Sequence, residues 1–103
     1  MNEIKFIQIT SAYPTQYLAF SGDKQVAYIR LRGGVLFADA PDFDGETIFE
    51  HKFENNHKGT FDNKTEENRY LEQIKTKIRE WIKMNPNRGI IKTPEHIIEE
   101  FFK

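Results

Sequence analysis

The spacing of apolar residues changes once along the chain, near Asn63. Before this point, β-branched and aromatic residues recur in short runs bounded by glycine, proline and aspartate, which predicts strands between about residues 3 and 53. After it, apolar residues recur at steps of three and four, which predicts one amphipathic helix over about residues 64–84. The apolar positions of that helix are Leu71, Ile74, Ile78, Trp81 and Ile82. A run of strands followed by a long helix is typical of the α+β class.

Five strands are predicted from the apolar runs and the turn residues between them. They cover residues 4–10, 16–21, 24–32, 35–38 and 46–53. Glycines at positions 22, 33 and 34 lie in short connections that are typical of antiparallel hairpins. In the first strand the alternation changes phase between Phe6 and Ile7, which indicates a bulge. In the fifth strand simple alternation places four side chains on one face: Thr47, Phe49, His51 and Phe53.

The length of 103 residues, 38% of them hydrophobic, predicts one domain spanning residues 1–103. Thr93-Pro94 is a favourable helix start, so a short C-terminal helix is predicted over about residues 94–102. Two helices are too few to bury both faces of five strands. We therefore expect a twisted antiparallel sheet with the long helix packed on one face and the other face partly open.

The last predicted helix is very apolar along one side. That side carries Ile97, Ile98, Phe101 and Phe102. These residues either dock onto the domain or form an interface with a partner, including a second copy in a homodimer. The residue pattern leaves both interpretations open.

Charge and composition exclude several functional classes. Lys plus Arg number 15 against 16 Asp plus Glu, so no overall basic field exists to hold nucleic acid or an anionic membrane. Cysteine is absent, which excludes disulfides, thiolate metal sites and a cysteine nucleophile. The N-terminus lacks the pattern of a secretory signal, and no apolar run approaches the length of a membrane span. A soluble, cytoplasmic protein without a membrane partner is expected.

Catalytic and metal-binding patterns are weak. The loop at residues 39–46 holds four carboxylates, but Ala40 and His51 stand where an EF-hand needs oxygen ligands. A solvated turn is the simpler interpretation, and whether this loop binds a cation stays open. His51, His57 and His96 match no zinc spacing, and no GxSxG turn is present. We predict a protein that is not an enzyme and needs no metal or cofactor.

Tyr28, Arg30 and Arg32 share one face of the third predicted strand. A planar guanidinium binds carboxylate or phosphate through two parallel hydrogen bonds, and a tyrosine ring offers a stacking surface. These three residues are therefore the predicted binding site for an acidic protein surface, a nucleotide or RNA. The competing interpretation is that the arginines pair with carboxylates on neighbouring strands, namely those of Asp39, Glu46 or Glu50.

Four short segments resemble small uncharacterised proteins of bacterial phages and prophages. The segments are residues 28–34 (YIRLRGG), 45–49 (GETIF), 59–61 (GTF) and 69–71 (RYL). The resemblance covers about residues 15–83 and does not reach Ile90 to Lys103. It implies an accessory protein of the anti-CRISPR or other counter-defence type, acting in the host-cell cytoplasm. Proteins of that type commonly bind a host protein or sequester a signal molecule.

The leading prediction is a non-enzymatic interaction protein that binds a host protein and inhibits a defence or nucleic-acid enzyme. Arginine and aromatic residues, which dominate interface hot spots, support it. One alternative is an oligomeric sponge that holds an anionic nucleotide signal between Tyr28, Arg30 and Arg32 of adjoining subunits. Another alternative is a nucleic-acid-binding module.

Overall fold

The computed structural model describes residues 3–10, 14–86 and 88–91. Its strands are β1 (Ile4–Thr10), β2 (Thr15–Ser21), β3 (Lys24–Arg32), β4 (Val35–Ala40), β5 (Glu46–Lys52) and β6 (Ile90–Ile91), and its helix is α1 (Lys64–Met84). The predicted α+β class, the five strands and the long helix are confirmed. The predicted helix over residues 94–102 lies outside the described residues, as do Ile97, Ile98, Phe101 and Phe102.

The five longer strands form an antiparallel sheet in the order β1-β2-β3-β4-β5. Each strand therefore pairs with its neighbours in sequence, as short hairpin connections require. The two-residue strand β6 pairs with the start of β3, where Ile90 lies opposite Gln25 and Ile91 opposite Lys24. The pairs between β3 and β4 run only from Tyr28 to Arg32, so β6 occupies the part of β3 that β4 leaves unpaired. A two-residue run carries too little pattern to be predicted as a strand.

Helix α1 packs on one side of the sheet, called here the first face. Its buried residues are Tyr70, Ile74, Ile78 and Trp81. They join one hydrophobic cluster with side chains from all five longer strands, among them Ile4, Tyr17, Ile29, Leu31 and Leu36. Ile74, Ile78 and Trp81 are buried as the helical spacing predicts, whereas the predicted Leu71 and Ile82 are only partly buried. Tyr70 takes a central place among the aromatic rings of this cluster. No helix within the described residues is long and apolar enough to cross a membrane.

The prediction of a bulge between Phe6 and Ile7 in β1 is wrong. Pairing between β1 and β2 continues without a break from Ile4 to Gln8, and the irregularity falls between Gln8 and Thr10. The apparent change of phase arises because both sides of this strand are apolar: Phe6 packs in the first-face cluster, whereas Ile7 packs on the opposite side, the second face. A strand with apolar residues on both sides indicates that both faces of the sheet are covered there.

A bulge that the sequence did not reveal lies in β5. Ala38 pairs with Phe49 and Asp39 pairs with Thr47, so Ile48 is the extra residue. Because one extra residue reverses the alternation, Thr47 lies on the second face beside Asp39, while His51 contacts Tyr70 on the first face. The prediction that Thr47 shares a face with Phe49, His51 and Phe53 is therefore wrong.

Side chains near the start of α1 cap the helix. The Asn63 side chain accepts a hydrogen bond from the backbone N–H of Glu66 at 2.8 Å. The Glu66 carboxylate in turn accepts from the backbone N–H of Asp62 and lies 3.0 Å from Lys58 Nζ. Carboxylates in the first turn also interact favourably with the helix dipole. Local side chains thus satisfy donors that the first turn of a helix leaves free.

A partly buried hydrogen bond joins α1 to β2. The Tyr17 hydroxyl donates to the Glu67 carboxylate, which also lies 2.8 Å from Lys64 Nζ. Burial alone raises the pKa of Glu67, but the hydrogen bonds from Lys64 and Tyr17 outweigh burial and hold this pKa below its usual value. Burial and the hydrogen bond to Glu67 raise the pKa of Tyr17, so its hydroxyl stays protonated and donates.

Replacing Tyr17 with phenylalanine should lower the free energy of unfolding by about 2 kcal/mol at neutral pH, because Glu67 loses a donor in a partly buried place. A carboxyl whose folded pKa is lowered stabilises the protein above its unfolded pKa, and this contribution is lost as the pH falls through the folded pKa. The difference between the native chain and Tyr17→Phe should therefore shrink as the pH falls below about 4. Urea denaturation over a pH series measures it.

The matched control is Glu72→Gln, because Glu72 is an exposed carboxylate of the same helix that pairs with Lys75. Its effect should stay within about 0.5 kcal/mol, as for other exposed pairs. A Tyr17→Phe loss that is the same at every pH would contradict the role assigned to Glu67.

Candidate functional site

The predicted site residues of β3 lie on the second face, away from α1. Tyr28 pairs across the sheet with Leu18 and Asp39, and Arg30 pairs with Gln16 and Phe37. Since side chains alternate along a strand, Tyr28, Arg30 and Arg32 point to the same side. The structure brings Tyr28 and Arg30 together around two phenylalanine rings, whereas Arg32 extends into solvent at the end of β3.

Tyr28 is a packed residue in this site. Its side chain is 6% exposed, and its hydroxyl donates to the Gln16 amide oxygen. The rings of Phe37 and Phe43 lie against it, with centroid distances of 6.1 and 5.6 Å. Burial raises the pKa of Tyr28, and the nearby positive charge of Arg30 opposes this rise only in part. Tyr28 therefore stays neutral. Its ring packs against Phe37 and Phe43, the two rings that lie against Arg30.

Arg30 is held between two aromatic rings. Its guanidinium carbon lies 5.1 Å from the centroid of Phe37 and 5.5 Å from that of Phe43. Cations over ring faces at this separation are attracted by the ring electrons. The Nε atom of Arg30 is buried and has no hydrogen-bond partner. This donor lacks an acceptor, and a planar anion such as a carboxylate is the group to which a guanidinium donates most favourably.

The expected pairing of the arginines with neighbouring carboxylates is not found. Within the described ranges, the ion pairs involve lysines alone, and neither Arg30 nor Arg32 takes part. Asp39 is buried and accepts hydrogen bonds from Thr47 Oγ1 at 2.7 Å and from the Asp44 backbone N–H at 3.3 Å. The Asp39 carboxylate, which is the nearest in register, is thus already bonded to the loop that follows β4 and to the start of β5.

The loop between β4 and β5 presents Phe43. The Asp42 carboxylate accepts from the Phe43 backbone N–H at 2.8 Å, and the Gly45 N–H donates to the Asp42 carbonyl at 2.9 Å. The acidic residues of this loop therefore shape its backbone. No group of three or more His, Cys, Asp or Glu side chains that could hold a metal ion occurs among the described residues. Phe43 remains 52% exposed beside Arg30.

Two further basic residues, Arg32 and Lys52, lie on the same face of the sheet as Arg30. Arg32 pairs in register with Val35, which pairs with Lys52 on β5, and both basic residues are exposed. The exposed Glu50 lies opposite Phe37 in the next row. We call the combined surface the Arg30 patch: Arg30, Arg32, Phe37, Phe43 and Lys52. It carries three cations, and the carboxylates of Glu50, Asp39 and Asp42 lie near it.

The second face was expected to be partly open, and its buried part lies on β1 and β2. Ile9, Leu18 and Phe20 form a buried cluster with Tyr28, and Leu18 is only 1% exposed. The part of this face formed by β1 and β2 is therefore closed, because those strands are apolar on both sides. The open part lies at β3–β5 and the loop after β4, where Arg32, Phe43 and Lys52 are exposed.

Sequence reasoning missed Phe37 and Phe43 as members of the site. Phe37 alternates away from the first-face residues Leu36 and Ala38, which is a signal that period-2 patterning contains. Phe43 is the one aromatic residue in a loop rich in aspartate, and an aromatic residue in such a loop is a common sign of a binding surface. Their contact with Arg30 depends on the loop conformation.

Comparison with known proteins adds no relative. A scan against protein-family models, a search of curated proteins and a search of solved structures each found no match to this chain. The site described above therefore carries the functional argument.

Proposed function

We propose that this chain is a non-enzymatic interaction protein that binds an acidic segment of another protein through the Arg30 patch. The observation that supports it most is the state of Arg30: its guanidinium lies between Phe37 and Phe43 and has no carboxylate partner among the described residues. An aspartate or glutamate side chain of a partner would supply the missing acceptor.

The composition of the patch fits a protein interface. Arginine and aromatic residues contribute most of the binding energy at such interfaces, chiefly where neighbouring groups exclude water. Phe43 offers exposed apolar surface next to Arg30, and Arg32 and Lys52 add exposed positive charge on the same face of the sheet. An acidic partner would be attracted over a distance by these charges and then retained by the ring and the guanidinium.

A protein partner is favoured over a stacked nucleotide by the burial of Tyr28. A base that stacks on tyrosine needs a free ring face, but Tyr28 is packed against Phe37 and Phe43. The nucleotide sponge and the nucleic-acid-binding module remain alternatives that the experiments below distinguish.

The partner that we propose is a host protein, such as a defence or nucleic-acid enzyme, which the chain would inhibit. This part of the proposal is motivated by the resemblance in pattern to phage and prophage proteins over about residues 15–83. It is independent of the chemical argument for an acidic partner, so either part can fail alone.

The decisive variant is Arg32→Glu plus Phe43→Ser, because both side chains are exposed and their loss should leave the fold intact. The native chain is immobilised, a bacterial lysate is passed over it, and the retained protein is identified and purified. Affinity for that protein should fall by about 30-fold or more in the double variant, which corresponds to about 2 kcal/mol at an interface hot spot. Calorimetric titration of the purified partner measures it.

The matched control is Lys83→Glu plus Met84→Ser. This pair also removes one exposed cation and one exposed apolar side chain, Met84 being 81% exposed, but at the end of α1 on the other side of the sheet. Its affinity for the partner should equal that of the native chain. If both double variants lowered the affinity for the partner equally, a site at the Arg30 patch would be refuted. It would also be refuted if the partner bound both double variants as tightly as the native chain.

Two further titrations test the alternatives. A nucleotide at 100 times its dissociation constant should raise the free energy of unfolding by about 2.7 kcal/mol, which a thermal-shift screen detects. Binding to DNA or RNA should weaken steeply as salt is raised. A nucleotide shift or salt-sensitive nucleic-acid binding that disappears in Arg32→Glu plus Phe43→Ser would replace the protein partner with that ligand.

A further inference from the structure

A groove runs between the outer edge of β5 and the last turns of α1. β5 is the last strand in the sheet order, and no described strand pairs with its outer edge. The groove has a volume of about 350 Å³, and the residues that line it include Glu46, Ile48, Lys77, Glu80, Trp81 and Met84. It therefore combines the backbone hydrogen-bonding groups of an edge strand with side chains of a helix.

Apolar side chains from both elements line this groove. Met84 is 81% exposed, and the other large apolar side chain that is exposed among the described residues is Phe43. Beside Met84, Trp81 is buried and Ile48 is partly buried. A methionine side chain is flexible and polarizable, so it adapts to apolar groups of different shape. The volume is at the lower end of the range for ligand-binding clefts, which suits one or two side chains of a peptide.

The bulge in β5 directs Ile48 toward α1. Strict alternation from Phe49 would send Ile48 to the second face, but the bulge leaves both residues packed against the first-face cluster. A bulge also twists an edge strand and so discourages its pairing with another long strand. β5 is therefore a poor edge for joining two copies of this chain, and a short extended segment fits it better.

The charges that line the groove favour a basic ligand. Lys77 Nζ lies 3.7 Å from Glu80 Oε2, so these two charges pair. Glu46 is exposed and takes part in none of the ion pairs found among the described residues. Lys83 does not line the groove, although it precedes Met84. A lysine or arginine next to an aliphatic residue would complement both the free carboxylate and the apolar surface.

We propose that this groove binds an extended peptide segment of a partner protein. The segment pairs with the outer edge of β5, places an aliphatic side chain against Ile48 and Met84, and sets a basic side chain beside Glu46. In binding of this kind, main-chain hydrogen bonds to the edge strand give affinity and the side-chain groove gives selectivity.

The groove is a separate surface from the Arg30 patch. It lies on the α1 side of the sheet and favours the opposite charge, so it does not rest on the proposed acidic partner. A lysate protein held by the groove would lose affinity in Lys83→Glu plus Met84→Ser and keep it in Arg32→Glu plus Phe43→Ser. That result is the reverse of the one expected for the Arg30 patch.

Selection from a displayed library of random short peptides, with the full native chain as bait, supplies a probe. Enriched peptides should carry lysine or arginine close to valine, isoleucine or leucine. The most enriched peptide is synthesised, and fluorescence anisotropy measures its affinity. Met84→Ser should weaken binding by about tenfold or more, because it removes apolar surface from the groove. Lys83→Ser is the matched control, since Lys83 is also exposed at the end of α1, and it should leave binding unchanged.

A charge reversal in β5 tests the preference for a basic ligand. Glu46→Lys should weaken binding of the same peptide by about tenfold or more, because like charges then face each other. Glu50→Lys is the control: Glu50 is exposed on the same strand but lies opposite Phe37 on the second face, so binding should not change.

Methylation of the peptide backbone tests the strand pairing. A strand presents its N–H groups alternately to its two sides, so methyl groups on alternate nitrogens should abolish binding in one phase and spare it in the other. Equal effects of the two phases would overturn the proposal, as would a selection that enriches no peptide. A peptide that Arg32→Glu plus Phe43→Ser releases and Met84→Ser retains would overturn it too, and would leave the Arg30 patch as the binding site.

Discussion

Replacement of Trp81 by alanine should lower the free energy of unfolding by about 4 kcal/mol, the range for loss of a buried tryptophan. Trp81 is almost fully buried in the last turns of α1 and belongs to the cluster that joins the helix to the sheet. Its removal leaves a cavity between the two layers that neighbouring side chains cannot fill, because α1 is also fixed by Ile74 and Ile78. Guanidinium or urea denaturation measures the loss.

Met84 provides the control for this prediction. It lies three residues further along the same helix but is exposed, so Met84→Ala should change the free energy of unfolding by less than about 0.5 kcal/mol. If Trp81→Ala cost no more than Met84→Ala, the packing of α1 on the first face would not be a major source of stability. The described architecture would then need revision.

Replacement of Gly34 by alanine should cost about 3 kcal/mol, from a strained backbone and a direct clash together. Gly34 has a φ of +77°, a conformation that residues with a side chain rarely adopt. A Cβ atom here would lie 2.6 Å from the Asn55 carbonyl oxygen and 2.7 Å from the Asn56 Cα. Both are backbone atoms of the loop after β5, so the loop would have to move.

That loop is held to Gly34 from two sides, which is why it cannot move cheaply. The Gly34 N–H donates to the Lys58 carbonyl at 2.8 Å, and the Phe53 N–H donates to the Gly34 carbonyl at 2.7 Å. A displacement that accommodates a methyl group would break at least one of these bonds. In urea denaturation, the free energy of unfolding of Gly34→Ala should therefore fall by much more than it does for an ordinary glycine replacement.

The neighbouring glycine separates strain from clash. Gly33 also has a positive φ, +59°, but a Cβ there would meet Asn56 O only at 3.9 Å, an ordinary contact. Gly33→Ala should therefore cost about 1 kcal/mol, the effect of the left-handed backbone alone. Equal losses for Gly33→Ala and Gly34→Ala would show that the close approach of the loop at residues 55–56 has no energetic consequence.

Local pattern was sufficient to predict the five longer strands, helix α1 and their order along the chain. The change of period at Asn63, the glycines at 22, 33 and 34, and the helical spacing of Ile74, Ile78 and Trp81 predict the hairpins and α1 almost to the residue. These features depend on interactions between residues that are close in sequence, and each recurs along its own element. The cap at Asn63 is a local interaction of the same kind.

Tertiary structure decided the register and the contacts between distant residues. Whether Thr47 faces Asp39 depends on the bulge at Ile48, and whether Arg30 is paired depends on how the loop after β4 places Phe43 and engages Asp39. One inserted residue reverses a whole face, and a loop conformation is fixed by hydrogen bonds that no alternation of residue types records. The sequence therefore determined that the five longer strands and the helix form. Only packing across the sheet decided which arginine lies between two rings and which stands in solvent.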